Sequence, residues 1–420
     1  MADRRLRVLV LHPRLESVGG AEVVAAWALD ALSRDHDVDV LAWTEPDLGG
    51  LDRDYGTSLA SRAIGVRLPP GWLRVAVETA QRLDSDPWSV QRFAALMRVA
   101  RRLRRHYDVV LCTYGEADLG GPGIQYVYLP WCGTAYRDGT KPGESMARRA
   151  RARIGFALRP WRLLSGFSFD RMRSNLTLAV SEGTAELVRA AYALDATVLH
   201  PPIPVSSEGR PWAQRENGFV CIGRLVAEKR IDRVLEILRR VRERGDEVSL
   251  HVVGNVQDEE PRYGRTLVER LESAGPWVTL HRGLSRKELA GLLARQRFGI
   301  HAMVDEPFGI VVAEMIRAGC VTFVRGGGGP ESIVGDAPGL VFRDEDEAVE
   351  RIVAMLRSPS AQEAAISHLA TRADLFGTER FAEGLRHAVR SFVERAERGV
   401  APGSRAVDRP RGGRPRRGRP

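Results

Sequence analysis

Between Val304 and Gly319 the chain reads VDEPFGIVVAEMIRAG, which places two carboxylates, Glu306 and Glu314, on either side of a predicted helix start. Pro307 has no N–H and a fixed φ, so it suits a first helical turn and not a helix interior. The helix body FGIVVAEMIRA then stops at Gly319. The first amides of such a helix have no intrahelical partner and carry partial positive charge, a natural seat for a phosphate. Ile310, Val311, Val312, Ala313, Met315 and Ile316 make this helix apolar nearly all round, the pattern of a buried element. A glutamate there is costly unless it binds something. One acid beside an anion seat and another further along the helix suit a sugar nucleotide. From this stretch alone, two solvated acids that favour the helix dipole remain the alternative.

Three other segments carry anion-binding chemistry. The first predicted strand runs into Glu16-Ser17-Val18-Gly19-Gly20-Ala21-Glu22, where Gly19 and Gly20 let backbone amides approach a phosphate. A second strand leads into Gly223-Arg224-Leu225-Val226-Ala227-Glu228-Lys229, where Arg224 and Lys229 could clamp a diphosphate or form a surface ion cluster with Glu228 and Asp232. The run Arg325-Gly326-Gly327-Gly328-Gly329-Pro330-Glu331 follows another strand, so Gly327 and Gly328 form either a further anion-binding turn or a plain connection.

Those segments need strands and helices to hold them. Both halves alternate short β-branched runs with amphipathic helices, as parallel α/β sheets do. Strands are predicted at Arg7–Leu11, Val38–Ala42, Val109–Cys112, Gln125–Tyr128 and Leu176–Ser181, with helices at Ala21–Ser33, Trp88–His106 and Glu182–Tyr192. A second set has strands at Gly218–Ile222, Ser249–Val253, Val278–His281, Gly299–Ala302 and Val321–Val324, and a helix over Lys229–Arg244. The expected fold class is therefore α/β with two Rossmann-like domains facing a cleft. The division is 1–205, an acceptor-binding domain; 206–217, a linker; 218–376, a nucleotide-sugar domain; 377–398, a helix returning toward the first domain; and 399–420, a disordered basic tail. Ligands in such sheets bind beyond the carboxyl ends of the strands.

Taken together, the motifs resemble retaining glycosyltransferases of family 4, which have the GT-B fold. The resemblance covers most of residues 5–395 and rests on VGGAE (18–22), VSEGTAELV (180–188), HPPI (200–203), CIGRLVAEKRID (221–232), EPFGIVVAE (306–314) and GGGGPESIV (326–334). HAMVDEPFGIVVAEMIRAG is most similar to the eukaryotic α-1,2-mannosyltransferases that build lipid-linked oligosaccharides from GDP-mannose. Carried over by position, the resemblance implies that Glu306 holds the donor sugar's hydroxyls and Glu314 the ribose. Arg224 and Lys229 neutralise the diphosphate, Gly19 and Gly20 lie against it from the other domain, and the backbone of Phe308, Gly309 and Ile310 caps the leaving group. It also implies no cofactor and no metal, with the nucleotide sugar as substrate. Many relatives carry a histidine in a Tyr-x-His-x-Pro context, whereas this chain reads Tyr126-Val127-Tyr128-Leu129-Pro130. A phenol with pKa near ~10 donates a hydrogen bond but is a poor acid or base at neutral pH. Tyr128 is thus a catalytic candidate or a core aromatic.

Charge and composition bound the partners. Of the net charge of +9 over 420 residues, the tail 401–420 carries seven Arg and one Asp, and 145–174 carries eight Arg and one Asp. In the second segment the arginines alternate with Phe156, Trp161, Phe167 and Phe169, which suits an anionic bilayer or a lipid-phosphate acceptor. A helix packed on the first domain with a solvated Arg face is the alternative. Nothing else suggests nucleic-acid reading. Four dispersed cysteines and no apolar run of membrane-spanning length give the expectation of a cytoplasmic protein, peripheral on the inner face of the membrane. The functional expectation is transfer of a hexose, mannose from GDP-mannose, to a lipid-linked or cell-envelope glycan. The rivals are a UDP-hexose donor, a sugar-nucleotide epimerase on the same fold, and an inactive sugar-nucleotide-binding protein.

Overall fold

Runs such as VLVL at 8–11 are apolar at every position, so they fit only a strand covered on both faces, and Val8 to Leu11 are indeed fully buried. The computed structural model describes residues 4–15, 19–83, 90–130, 166–204, 210–257, 260–337 and 339–399. The expectations placed on 145–165, on 206–209 of the linker, on Cys132 and on the tail from 400 lie outside the described residues.

The first domain is built on β1 (Arg7–Leu11), β2 (Asp37–Leu41), β3 (Gly65–Arg67), β4 (Val109–Cys112), β5 (Ile124–Val127), β6 (Leu176–Ala179) and β7 (Thr197–Val198). They form a parallel sheet in the order β3-β2-β1-β4-β5-β6-β7. The helices are α1 (Gly20–Ser33), α2 (Leu48–Tyr55), α3 (Gly71–Leu83), α4 (Val90–Leu103), α5 (Phe169–Arg173) and α6 (Glu182–Tyr192). The second sheet holds β8 (Glu216–Ile222), β9 (Ser249–Val253), β10 (Val278–His281), β11 (Gln296–His301), β12 (Val321–Arg325) and β13 (Val341–Phe342), also parallel, in the order β10-β9-β8-β11-β12-β13. Its helices are α7 (Ile231–Glu243), α8 (Pro261–Ser273), α9 (Arg286–Arg295), α10 (Ile310–Arg317), α11 (Gly329–Val334), α12 (Glu345–Leu356) and α13 (Pro359–Ala373), and α14 (Thr378–Glu397) follows.

Both strand orders reverse direction once, between β1 and β4 and between β8 and β11. A crevice opens at such a switch point beyond the carboxyl ends of the strands. The loops that leave β1, β8 and β11 are those holding Gly19-Gly20, Arg224–Lys229 and His301–Gly309.

The two sheets share one core. Leu29 of α1, Tyr126 of β5 and Phe381, Leu385, Val389 and Phe392 of α14 belong to the apolar cluster that also fills the second domain. Arg386 of α14 donates to Asp35 (3.1 Å) at the end of α1, and Ile203 N–H donates to Phe376 O (3.0 Å). Closer to the crevice, Ser181 Oγ donates to Pro307 O (2.8 Å) across the two domains.

Two expected helix starts move. The helix predicted from Pro307 begins at Ile310, because Asp305 (φ 56°) and Gly309 (φ 95°) are left-handed and break the turn between them. The helix predicted from Lys229 begins at Ile231, after a 3-10 turn over Ala227–Lys229 and a left-handed Arg230 (φ 53°). Trp88–His106 resolves into α4 from Val90 and a 3-10 turn over Arg104–His106.

Candidate functional site

The segment 305–309 is clamped by backbone. Gly329 N–H donates to Glu306 O (2.7 Å), and a Cβ on Gly329 would lie 2.4 Å from the Phe308 Cα. A Cβ on Gly328 would lie 2.8 Å from Glu306 O. The glycine run after β12 therefore serves close packing behind the site. The Gly327 amide is already taken, by Glu331 Oε2 at 2.8 Å, and so does not stand free for an anion. Gly309 caps α10, leaving the amides of Gly309, Ile310 and Val311 ahead of the first full helical bonds.

Glu306 sits at the mouth of this clamp. Its Oε2 accepts from Lys229 Nζ (2.6 Å), and the ammonium also lies 3.2 Å from Met303 Sδ. His301 Nε2, at the end of β11, lies 3.5 Å from the same oxygen, long for a hydrogen bond but close enough for its dipole to favour the carboxylate. Burial alone would raise the Glu306 pKa. The His301 and Lys229 neighbours outweigh it and hold the carboxyl at about 2. Lys229 and His301 both face the same oxygen, Oε2, which leaves Oε1 for hydroxyl donors.

Glu314 lies in the second turn of α10 and is 4% exposed. Its carboxylate pairs with Arg286, the first residue of α9. The Arg286 guanidinium also lies over the Tyr55 ring of the first domain, 5.5 Å from its centre. Tyr55 Oη accepts from Gly19 N–H (2.9 Å), and burial pushes its pKa up to about 12. Gly20 packs directly against the second domain, since a Cβ there would lie 2.6 Å from Ile310 Cδ1. Gly19, Gly20, Ile310, Glu314, Lys229 and Glu306 thus line one crevice around the start of α10. Arg224 pairs with Glu228 (2.6 Å) in a half-exposed contact on its own loop.

On the first domain's side, the Tyr128 hydroxyl donates to Thr113 O (3.1 Å), with Ala21 O at 3.5 Å. Burial raises its pKa well above the ordinary value, so it stays a phenol. His12, directly after β1, is fully buried, with Nδ1 2.9 Å from Thr113 Oγ1 and Nε2 without a partner. Burial lowers its pKa to about 3, so its imidazole is neutral. His12, Tyr55, Arg286, His301 and Ser181 escaped the sequence reading. Only His301 had a signal, its place five residues before Glu306 after a strand. Among the described residues, no group of three or more His, Cys, Asp or Glu is placed to hold a metal ion, and no helix is long and apolar enough to cross a membrane.

This crevice is built largely from the second domain, and that part of the chain has recognisable kin. Residues 204–370 match the family model described as glycosyl transferases group 1. The second half of the chain therefore carries a glycosyltransferase group 1 domain. The chain is 29% identical over 147 residues to the GDP-Man:Man(3)GlcNAc(2)-PP-Dol alpha-1,2-mannosyltransferase of Candida glabrata, covering 32% of this chain and 29% of that relative. It is 26% identical over 164 residues to the protein of the same description from Dictyostelium discoideum, covering 35% of this chain and 32% of that relative. The matched region thus spans about a third of either relative's length. Among solved structures, Anabaena Alr3699/HepE in complex with UDP and glucose superposes with TM-score 0.63 at 14% identity, over 92% of this chain and 100% of that one. Sucrose-phosphate synthase from Thermosynechococcus elongatus gives TM-score 0.65 at 14% identity, over 93% of this chain and 100% of that one. At such identities the likeness carries the fold, and the two facing parallel-sheet domains are GT-B.

Proposed function

We propose that the chain transfers a hexose from a nucleoside-diphosphate sugar with retention and without a metal, with mannose from GDP-mannose as the donor. The carrying observation is the Lys229–Glu306 ion pair at the unpartnered amides of α10, with Glu314 about one turn further in and Gly19-Gly20 opposite. In this reading the diphosphate lies on those amides and against the glycine turn, with Lys229 as its fixed cation. Glu306 Oε1 accepts the sugar hydroxyls and Glu314 the ribose diol. As the bond from C1 to the phosphate oxygen breaks, charge builds on the diphosphate, where amides and ammonium stabilise it. The acceptor hydroxyl attacks C1 from the same face, and its proton passes to the departing phosphate oxygen. No protein base is required, which fits a neutral, half-buried Tyr128 where many relatives have histidine. Tyr128 instead ties the ends of β4 and α1 together under the site.

Support for mannose is the partial match to two mannosyltransferases, and it suggests a lipid-linked or cell-envelope glycan acceptor at the inner membrane face. A UDP-hexose is the second reading, favoured by the UDP-bound relative of the same fold. A thermal-shift screen against GDP-mannose, UDP-glucose and ADP-glucose separates them, since the true donor raises Tm by mass action. Donor hydrolysis should survive EDTA and vanish in Glu306→Gln, while Glu314→Gln mainly raises the donor KM. No Tm change with any of the three nucleotide sugars would defeat the proposal.

A further inference from the structure

Arg286 stands in an unfavourable place. A cation at the first position of a helix opposes the helix dipole, so its location must be offset by what the side chain touches. It touches two groups from different parts of the crevice. One is Glu314, whose side chain is only 6% exposed and accepts from the guanidinium through Oε1. The other is the face of Tyr55 in the opposite domain, a residue 1% exposed. Tyr55 in turn is bonded to both backbone groups of Gly19, accepting from its N–H (2.9 Å) and donating to its carbonyl (3.3 Å). Its own carbonyl accepts from Trp27 Nε1 (3.1 Å) on α1. A continuous line of contacts therefore runs from the carboxylate inside α10, through Arg286 and Tyr55, to the glycine turn across the crevice.

We propose that Arg286 is a positioning residue for the ribose end of the nucleotide, and that its stacking on Tyr55 couples ribose recognition to the seating of the Gly19-Gly20 turn. The inference rests on the reading of Glu314 as the carboxylate that accepts the ribose hydroxyls. A carboxylate has two oxygens and about four acceptor sites. With Arg286 on Oε1, Oε2 is left as the acceptor for the 2′- and 3′-hydroxyls. Arginine suits this task because its planar fork binds a carboxylate edge while its face lies on an aromatic ring. Lysine supplies the charge without the planar face. Tyr55 then transmits position: the ring is pinned by the guanidinium on one side and by Gly19 on the other, so a displaced Arg286 loosens the phosphate turn as well.

The test uses the full chain and four probes, GDP, UDP and their 2′-deoxy counterparts, titrated by calorimetry. The wild type should prefer the ribonucleotide of the correct base by about tenfold, the scale of a lost hydrogen bond to a charged group. Arg286→Ala should bring that preference to within about twofold and raise the donor KM with kcat little changed, as for a uniform binding contact. Arg286→Lys, which keeps the counter-charge for Glu314 and guards against a folding failure, should still lose most of the preference. Tyr55→Leu should lower it too, and the double variant Arg286→Ala/Tyr55→Leu should be no worse than Arg286→Ala alone. A wild-type preference retained in both Arg286 variants overturns the positioning role. Multiplying, independent losses in the double variant overturn the coupling. A wild type that binds none of the four nucleotides brings down the nucleotide-sugar reading itself, and the inference with it.

Discussion

Removing the Lys229 ammonium by Lys229→Ala leaves the Glu306 carboxylate buried with only His301 nearby. The cost can be worked from the site. The carboxyl is held at about 2 against an ordinary 4.5, even though burial pushes the other way. At ~1.36 kcal/mol per pKa unit, the ionised form is favoured by about 3 kcal/mol net of desolvation, shared between Lys229 and His301. Side-chain exposures of 17% and 15% leave little solvent screening of the pair. Lys229→Ala should therefore destabilise the fold at pH 7 by about 2–3 kcal/mol. Glu306→Gln should cost less, since an amide can remain buried with neutral partners. The double variant should lose about 1–2 kcal/mol less than the two single losses added, because neither charge is then stranded. Urea unfolding of the four proteins at pH 7 gives this coupling directly. The sign of its pH dependence is fixed too. A depressed carboxyl pKa contributes stability that is full above pH 4.5 and is lost as pH falls toward 2. The Lys229→Ala penalty should shrink over that window. Additive losses within about 0.5 kcal/mol, or a penalty that does not change between pH 5 and 3, would show that the pair is not an energetic unit and that the reasoning about this site is unsound.

Three further outcomes follow from the same geometry. His12 favours its neutral form in the fold, so the unfolded chain binds the extra proton between pH 6.5 and 3. Wild type should thus lose about 2 kcal/mol more than His12→Gln between pH 7 and 5 in denaturant titrations, while the half-buried His251 and His281 act alike in both proteins. Gly329→Ala forces a Cβ against the Phe308 backbone, and should cost about 1–3 kcal/mol and move Glu306, so that donor turnover falls more than Tm would suggest. Tyr128→Phe should keep kcat within about threefold with a stability loss near 1 kcal/mol, the worth of one half-buried hydrogen bond, as a far larger kcat loss would make the phenol part of the chemistry.

How far the sequence carries depends on the range of the physics involved. Val8–Leu11 of β1, all of β4 and the Phe219–Ile222 part of β8 were legible because a strand covered on both faces must be apolar throughout, a purely local demand. The edge strands β3, β7 and β13 are two or three residues long, too short for any period, and exist because a neighbour offers them a ladder. At the site, Glu306, Glu314, Lys229 and the glycines were legible as types, since each sits at a strand end or helix start. Their pairing was not. Lys229 and Glu306 are 77 residues apart, and only the β8–β11 neighbourhood brings them to 2.6 Å. The helix start went astray for a similar reason. Pro307 has a local preference for a first turn, but Gly328 and Gly329 press on 305–308 from behind and Ser181 takes the Pro307 carbonyl from the other domain. Under those two constraints the turn closes only with Gly309 left-handed, which delays the helix by three residues. That delay sets the orphan amides of α10 level with Gly20, so the feature the local rule missed is also the one that aligns the two halves of the proposed phosphate seat.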